Sequence, residues 1–350
     1  MNGSSIYRSN NVVYARFEIL RDGGVWTDLY AYEAPEVQCV TTSALKMSLR
    51  GTFYRPEKDV NYLTDRIRAV LCLNGQEYNM GVYIATTADE LHTDEGDMVE
   101  IEAYSMLYLA SRAKLEGVYH IDAGTNYISA VQSLLVACGI TDYEADATSL
   151  KMPMAREDWE EGTPVLDVIN ELLDEINYNS AWVDLNGKVR LTKYTGPSTE
   201  NIKHTYREGE YSVLYPEYTA STDLFDKANV FKCVCSNPDL SVPLVAVAVN
   251  EDPHSKFSTV SLGARVLYLE NVDNVPDLDT LQERADNLRI KSLQTTQEVE
   301  FSTALVPGHE TFDTIAIDSG EITGIYTETE WRATMDAAGI MTHRAKRVIE

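Results

Sequence analysis

Residues 157–194 read EDWEEGTPVLDVINELLDEINYNSAWVDLNGKVRLTKY, and this stretch decides how the chain is parsed. Thr163-Pro164 is a helix start signal. A threonine hydroxyl caps exposed backbone N–H groups, and proline at the first helical position has no N–H to leave unpaired. Val165, Leu166, Val168, Ile169, Leu172, Leu173 and Ile176 then recur at helical spacing, which makes one face apolar. Ala181-Trp182-Val183 and Lys188-Val189-Arg190-Leu191 flank Asp184-Leu185-Asn186-Gly187. Asn-Gly between two such runs predicts a tight hairpin, because both residues accept the backbone angles that the turn demands. A helix that feeds a hairpin at once marks a small α+β unit.

That unit extends over 106–197. A second helix opens at Gly124-Thr125, carries Ile128, Val131, Leu134, Leu135 and Cys138, and stops at Gly139, a left-handed C-terminal position. Gly196-Pro197-Ser198 marks the exit. Upstream, 12–105 read as short strands separated by turns. Leu45, Met47, Leu49 and Gly51 share one face, and Ile67, Ala69 and Leu71 oppose Arg68, Val70 and Cys72. Asp22-Gly23-Gly24 and Asn74-Gly75 are turn signals, and strands at such spacing predict a sandwich or small barrel. Downstream, 205–350 return to strands at 231–235, 244–249 and 298–305, interrupted by a run over 279–293 that carries Leu281, Ala285, Leu288 and Leu293 and reads as one helix. Near the C-terminus Trp331, Met335 and Ala338 share a helical face, while Trp331, Ala333 and Met335 also alternate. A hairpin turning at Asp336-Ala337-Ala338-Gly339 into 340–349 is the preferred reading.

The chain has 350 residues, enough for two to four compact units of about 100 residues each. It carries 55 acidic and 29 basic residues, a formal net charge of −26. Holding duplex DNA by its phosphates needs a basic face, and no Lys/Arg run supplies one. An acidic surface suits solubility, and equally a conduit to which DNA does not adhere. The five cysteines are scattered and odd in number, which is not a disulfide framework. Cys233 and Cys235 fall on one side of a strand and lack partners at ligand spacing, so they read as small core or surface residues. The N-terminus MNGSSIYRSNN is polar, with no leader pattern, and no run approaches the ~20 apolar residues of a membrane helix.

Catalytic patterns are missing. Asp158, Glu160 and Glu161 precede a helix, where acids favour the helix N-terminus over a role as a glycosidase pair. Asp184-Leu185-Asn186-Gly187 resembles the start of a calcium loop, but Thr195 stands where the twelfth-position glutamate belongs, so a turn is expected. The histidines, His92, His120, His204, His254, His309 and His343, form no metal-protease spacing. There is no Gly-x-Ser-x-Gly elbow and no phosphate loop. We therefore expect no catalytic, cofactor-binding or metal-binding residues and no cofactor. Twenty-one tyrosines suit strand filling or a large protein interface.

Several segments together resemble bacteriophage tail and baseplate hub proteins of the late-control D-like, tail-tip hub family. The helix-to-hairpin segment is one. Tyr78-Asn79-Met80-Gly81-Val82-Tyr83-Ile84-Ala85, followed by the strand over 99–107, is similar to a "G-x-Y/F-I" strand pair, with Tyr104-Ser105 where an acid is common. Gly124-Thr125 to Gly139-Ile140 is similar to a "G-T…I…LL…G-I" helix. Asp226-Lys227-Ala228-Asn229-Val230-Phe231, Ser236-Asn237-Pro238 and Asn250-Glu251-Asp252-Pro253-His254-Ser255, with Ser258-Thr259, are similar to an "N-V-x-V…N-P…A-x-N-x-D-P-x-S-x-x-S" signature. The likeness covers about 10–350.

The resemblance implies a mainly β chain with two tube-type antiparallel β-barrel domains and a small α+β domain. The first barrel would span 1–105, completed by strands from 198–235. The inserted α+β domain would span 106–197, and the second barrel 236–350, with its helix near 279–293. It implies a homotrimeric ring in the virion, assembled in the host bacterial cytoplasm. A tail tube or distal tail protein would lie above, a spike or fibre below, and DNA or a tape-measure protein would pass through the lumen. The chain ends at Glu350 with no appended domain, so any wall-degrading activity is expected on another polypeptide. The competing readings are a tail-tip adhesin for host glycan, motivated by the tyrosines and tryptophans, and a cell-wall hydrolase using the 158–161 acids.

Overall fold

The computed structural model describes residues 7, 11–210, 212–222, 227–236, 242–293 and 297–347. Asp226, Asn237, Pro238 and Glu350, named above, lie outside these residues, as do most of the MNGSSIYRSNN run, the end of 340–349 and the Leu293 side chain. The chain is mainly β with a small α+β insertion.

Seven strands build the first β unit: β1 (Val13–Arg21), β2 (Gly24–Leu29), β3 (Glu36–Val40), β4 (Met47–Tyr54), β5 (Arg66–Leu73), β6 (Gln76–Thr93) and β7 (Gly96–Tyr104). They pair antiparallel in the order β2-β1-β5-β6-β7-β4-β3. The expected turns at 22–24 and 74–75 are present. Asn74 and Gly75 have φ of 54° and 79°, the double left-handed geometry of a two-residue hairpin. Alternation decides what is buried: Met47, Leu49 and Phe53 face inward from β4, and Val99, Ile101 and Ala103 from β7.

The α+β unit follows with α1 (Tyr108–Arg112), α2 (Tyr127–Ala137), β8 (Tyr143–Ala145), α3 (Val165–Asp174), β9 (Trp182–Val183) and β10 (Val189–Leu191). Six apolar residues of α3 are buried, as the 3.6-residue period predicts. The start signals differ from expectation. Pro164 occupies the N-cap position of α3 in an extended conformation, and no side chain caps that helix. Thr163 is held by its backbone instead, its carbonyl accepting from Leu115 N at 3.0 Å. In α2 the cap is Asn126, two residues beyond Gly124, and its side chain accepts from Ser129 N. β10 runs antiparallel to β9 and parallel to β8. The tip of the β9–β10 hairpin reaches into the first β unit. Leu185 joins that unit's core, and Asn79 Nδ2 donates to Asn186 Oδ1 at 2.7 Å. Gly187 has φ of 90°, and a Cβ there would stand 2.9 Å from Val82 Cβ.

The remaining strands are β11 (Ile202–Arg207), β12 (Leu214–Thr222), β13 (Val230–Cys235), β14 (Leu244–Val249), β15 (Leu267–Val272), β16 (Gln297–Ala304), β17 (Thr314–Asp318), β18 (Gly324–Thr334) and β19 (Ile340–Arg347). Two helices lie among them, α4 (Thr259–Leu262) and α5 (Leu278–Leu293). The ladder β12-β16-β19-β18 forms the second β unit, with β17 on β18 and β11 on β17. β18 also pairs with β3, so the two β units share one thirteen-stranded sheet. The preferred C-terminal hairpin is present: β18 and β19 are antiparallel, and Gly339 N donates to Asp336 O at the turn.

The ladders do not follow the completion expected from 198–235. β11 pairs with β17, β12 with β16, and β13 with β14 and β15. The reason is a separate core. Phe231, Cys233 and Cys235 pack with Ala246 and Ala248 under Leu281 and Ala285 of α5. β13 is thereby committed to a three-stranded sheet, and β14, β15 and α5 belong with it rather than with the second β unit.

Candidate functional site

The densest group of chemically capable side chains lies inside the second β unit. His204 and Tyr206 come from β11, Thr303 from β16, Glu328 from β18 and His343 from β19, and all five are buried. The loop joining β16 to β17 adds His309 and Asp313, buried as well. Each strand residue occupies the inward phase: Tyr326 and Glu328 alternate on β18, as do Met341, His343 and Ala345 on β19.

Glu328 sits at the centre. One carboxylate oxygen accepts from His309 Nδ1 at 2.6 Å, the other from His343 Nδ1 at 2.5 Å. Beyond them, His309 Nε2 meets the Tyr206 hydroxyl at 2.5 Å, and His343 Nε2 meets Thr303 Oγ1 at 2.9 Å. The His204 ring stacks on His309 with centroids 3.7 Å apart and planes at 10°. His204 Nε2 donates to Gly308 O at 3.0 Å, while its Nδ1 has no hydrogen-bond partner among the described residues. That pattern assigns the proton of a neutral ring to Nε2. Asp313 accepts from Glu310 N at 2.9 Å and lies 3.8 Å from His204 Nε2.

The electrostatics follow from this geometry. Burial pushes the Glu328 carboxyl upward, but the charge of His309 and the hydrogen bonds from both histidines outweigh it and hold Glu328 at about 2. Burial drives His204 down to about 3, helped by His309, and lowers His343 despite Glu328. Burial raises Asp313 to about 7. One firmly ionised acid is thus clamped between two imidazoles, beside an acid raised to about 7 and a neutral histidine.

Two triplets here, His204–His309–Asp313 and His309–Glu328–His343, bring ligand-type atoms within 4.8 Å of one another. Two ligands on one ion, each bonded at about 2.1 Å, stand about 3 Å apart or more. The 2.5–2.6 Å contacts of Glu328 are hydrogen-bond lengths, and each ring nitrogen of His309 and His343 already has a partner. The arrangement is that of a polar core network. A cleft of about 350 Å³ passes beside it, lined by Trp182, Arg190, Lys193, Glu310 and Asp313, where the α+β unit meets the second β unit. No short motif joins this group in the sequence, because its members stand far apart in the chain. A polar residue in the inward phase of an alternating strand is the signal that could have found Glu328 and His343.

The residues singled out from sequence lie elsewhere. Asp158 pairs with buried Arg156, which also binds Glu171 at 3.0 Å and Glu175 at 2.7 Å, while Glu160 and Glu161 are exposed. Asp184 Oδ1 accepts from Asn186 N and Lys188 N, both at 3.0 Å, which makes its loop a closed turn. Cys233 and Cys235 are buried under α5, and none of the five cysteines forms a disulfide among the described residues. The tyrosines divide: Tyr83, Tyr127, Tyr206 and Tyr326 fill cores, whereas Tyr30, Tyr32, Tyr54, Tyr215, Tyr218 and Tyr268 are exposed. Among the described residues no helix is long and apolar enough to cross a membrane.

No protein-family model matches the chain. No curated protein matches it either. Solved structures do. A tail protein from Neisseria meningitidis MC58 superposes with a TM-score of 0.67 at 11% identity, covering 95% of this chain and 97% of that one. The 43 kDa tail protein of prophage MuSo2 from Shewanella oneidensis gives 0.62 at 8% identity, with 95% and 98% covered. Prophage tail protein gp18 from Listeria monocytogenes EGD-e gives 0.56 at 13% identity, with 96% and 95% covered. Across nearly its whole length, the chain has the fold of these three tail proteins.

Proposed function

We propose that this chain is the structural hub of a phage tail tip or baseplate, and that it works by assembly rather than catalysis. Three copies form a ring in which two β units per chain supply six similar positions. Such a ring joins a sixfold tail tube or distal tail protein above to a threefold spike or fibre below. Its bore passes DNA or a tape-measure protein without holding it. The carrying observation is two-way coverage: the fold matches 95% of this chain and 97–98% of two tail proteins, one of them from a prophage. The β3–β18 ladder adds support, because it welds the two β units into one continuous sheet. The net charge of −26 supports a non-adhesive bore, since like charges repel.

In this reading the chain divides into a first β unit over 1–105, an α+β insertion over 106–197, and a second β unit built from β11, β12 and β16–β19. The sheet of β13, β14 and β15 with α5 is a further insertion. The working place is the virion, after assembly in the host bacterial cytoplasm. Light scattering on the purified chain, with negative-stain electron microscopy, tests the proposal. A mass of three chains and a ring with an open centre is the expected result. A chain that stays monomeric at high concentration overturns self-assembly into a ring.

A further inference from the structure

Among the described residues, the sheet β14-β13-β15 has a helix packed on one face. α5 lies over Phe231, Cys233, Cys235, Ala246 and Ala248. The strand registers fix the opposite face as three rows: Val249-Val230-Leu267, Val247-Lys232-Leu269 and Val245-Val234-Asn271. Seven of these nine positions are apolar. Val245, Val247, Leu267 and Leu269 are 43–58% exposed. A single cation, half-buried Lys232, stands at the centre of the lattice. A contiguous apolar face of this kind marks a contact surface. Once a partner excludes water, the ammonium at its centre requires an opposing acid.

The same chain carries a surface that complements it. Tyr32 and Tyr54 meet edge to face at 5.6 Å, beside Tyr30, which is 68% exposed. The Tyr32 hydroxyl donates to Glu95, which places a carboxylate among exposed aromatic rings. Aromatic residues are enriched at protein interfaces, and tyrosine is frequent among the side chains that dominate their energy. We propose that the outer face of the β14-β13-β15 sheet docks on the Tyr30–Tyr32–Tyr54 patch of a second copy of this chain, with Lys232 meeting Glu95. This contact rests on the ring reading and deepens it. It joins two different patches, so it is heterologous, and contacts of that type repeat head to tail and close into a ring when the rotation permits.

Charge reversal on the full-length chain tests the contact, with mass in solution as the readout. Lys232→Glu and Glu95→Lys are each expected to weaken association by at least about tenfold, with thermal melting close to wild type because both side chains lie at the surface. The double variant restores the ring, since the pair is rebuilt with its signs exchanged. A ring that ignores the single changes overturns the contact, and hands the apolar face to another tail protein. Single losses that the double variant does not rescue overturn the choice of the tyrosine patch. A wild-type chain that never forms a ring fails the hub reading itself and takes this contact with it; the other two outcomes leave that reading intact.

Discussion

The two β units bury opposite kinds of chemistry under similar strands. The first has a dry core: Phe17 meets Phe53 edge to face at 5.2 Å, among Ile19, Leu49, Ile67, Leu71 and Ile101. The second surrounds Tyr206, Phe301 and Ile315 with three histidines, two carboxyls and a threonine. Apolar burial is non-directional and grows with area. A hydrogen-bonded core is directional and costs free energy wherever a partner is missing. The first core therefore holds strands by contact, while the second fixes one loop, residues 305–313, in one place. That loop includes Phe312 at φ of 68°, an uncommon angle for a bulky residue. His309 and Asp313 anchor it on either side of this strained residue.

Glu328→Ala is the change that should separate the two cores most sharply. It leaves the Nδ1 donors of His309 and His343 buried without their acceptor, and each such unsatisfied group costs about 1–3 kcal/mol. Urea unfolding at neutral pH measures it. Phe53→Ala in the dry core is expected to cost about as much, 3–5 kcal/mol, but by leaving a cavity, and its loss should not change with pH.

The pH dependence of the second core comes next. His204 is depressed to about 3 from an ordinary 6.5, so its contribution is present above 6.5 and is lost as pH falls through 3. Glu328, held at about 2, loses its contribution between 4.5 and 2. Asp313 runs the other way. Raised to about 7, it contributes fully below 3.8 and loses that contribution as pH rises through 7. Between 6.5 and 3.8 these effects oppose one another, and below 3.8 only losses remain. Urea midpoints should therefore fall steeply below pH 4, and Glu328→Gln should fall less steeply over the same interval. A parallel fall in both proteins would place the acid sensitivity elsewhere.

Smaller effects are expected outside the polar core. Gly187→Val combines a left-handed backbone with a side chain forced against Val82, and should cost roughly 1–3 kcal/mol by lifting the hairpin tip from the first β unit. Faster amide exchange at Asn79 and Val82 would locate the damage. Thr163→Ala sets the baseline. No side chain caps α3, so stability should change by no more than about 0.5 kcal/mol in the same urea assay.

Legibility from sequence follows the same division. Where side chains alternate cleanly, as in 45–53 and 299–305, both strands and buried faces were readable. The apolar face of α3 was readable for the same reason, and its residues are buried as expected. The second core was hidden because Glu328 and His343 occupy inward positions that a hydropathy pattern assigns to apolar residues. The 328–338 run stayed ambiguous because Trp331, Met335 and Ala338 fit a helix locally. The hairpin with β19 and the ladder to distant β3 decide it for a strand. β13 alternates as predicted, but alternation does not name a partner, and the cover supplied by α5 does. The cap of α3 was misplaced by one residue because Thr163 and Pro164 both suit a helix start, and only the bridge to Leu115 settles which stands where.

The ladder between β3 and β18 also sets a clock. Gln38 and Glu330 are bonded across it although 292 residues separate them. At ~5–20 residues per second, a ribosome needs about 15–60 seconds to traverse that interval. Throughout it the N-terminal sheet carries an open edge of unpaired N–H and C=O groups along β3, a template for pairing with any neighbouring chain. A nascent polypeptide meets its own β18 only once that interval has been traversed. Crowded polysomes should therefore be where wrong partners are captured, and slower initiation, which spaces the ribosomes, should raise the yield of correctly closed protein.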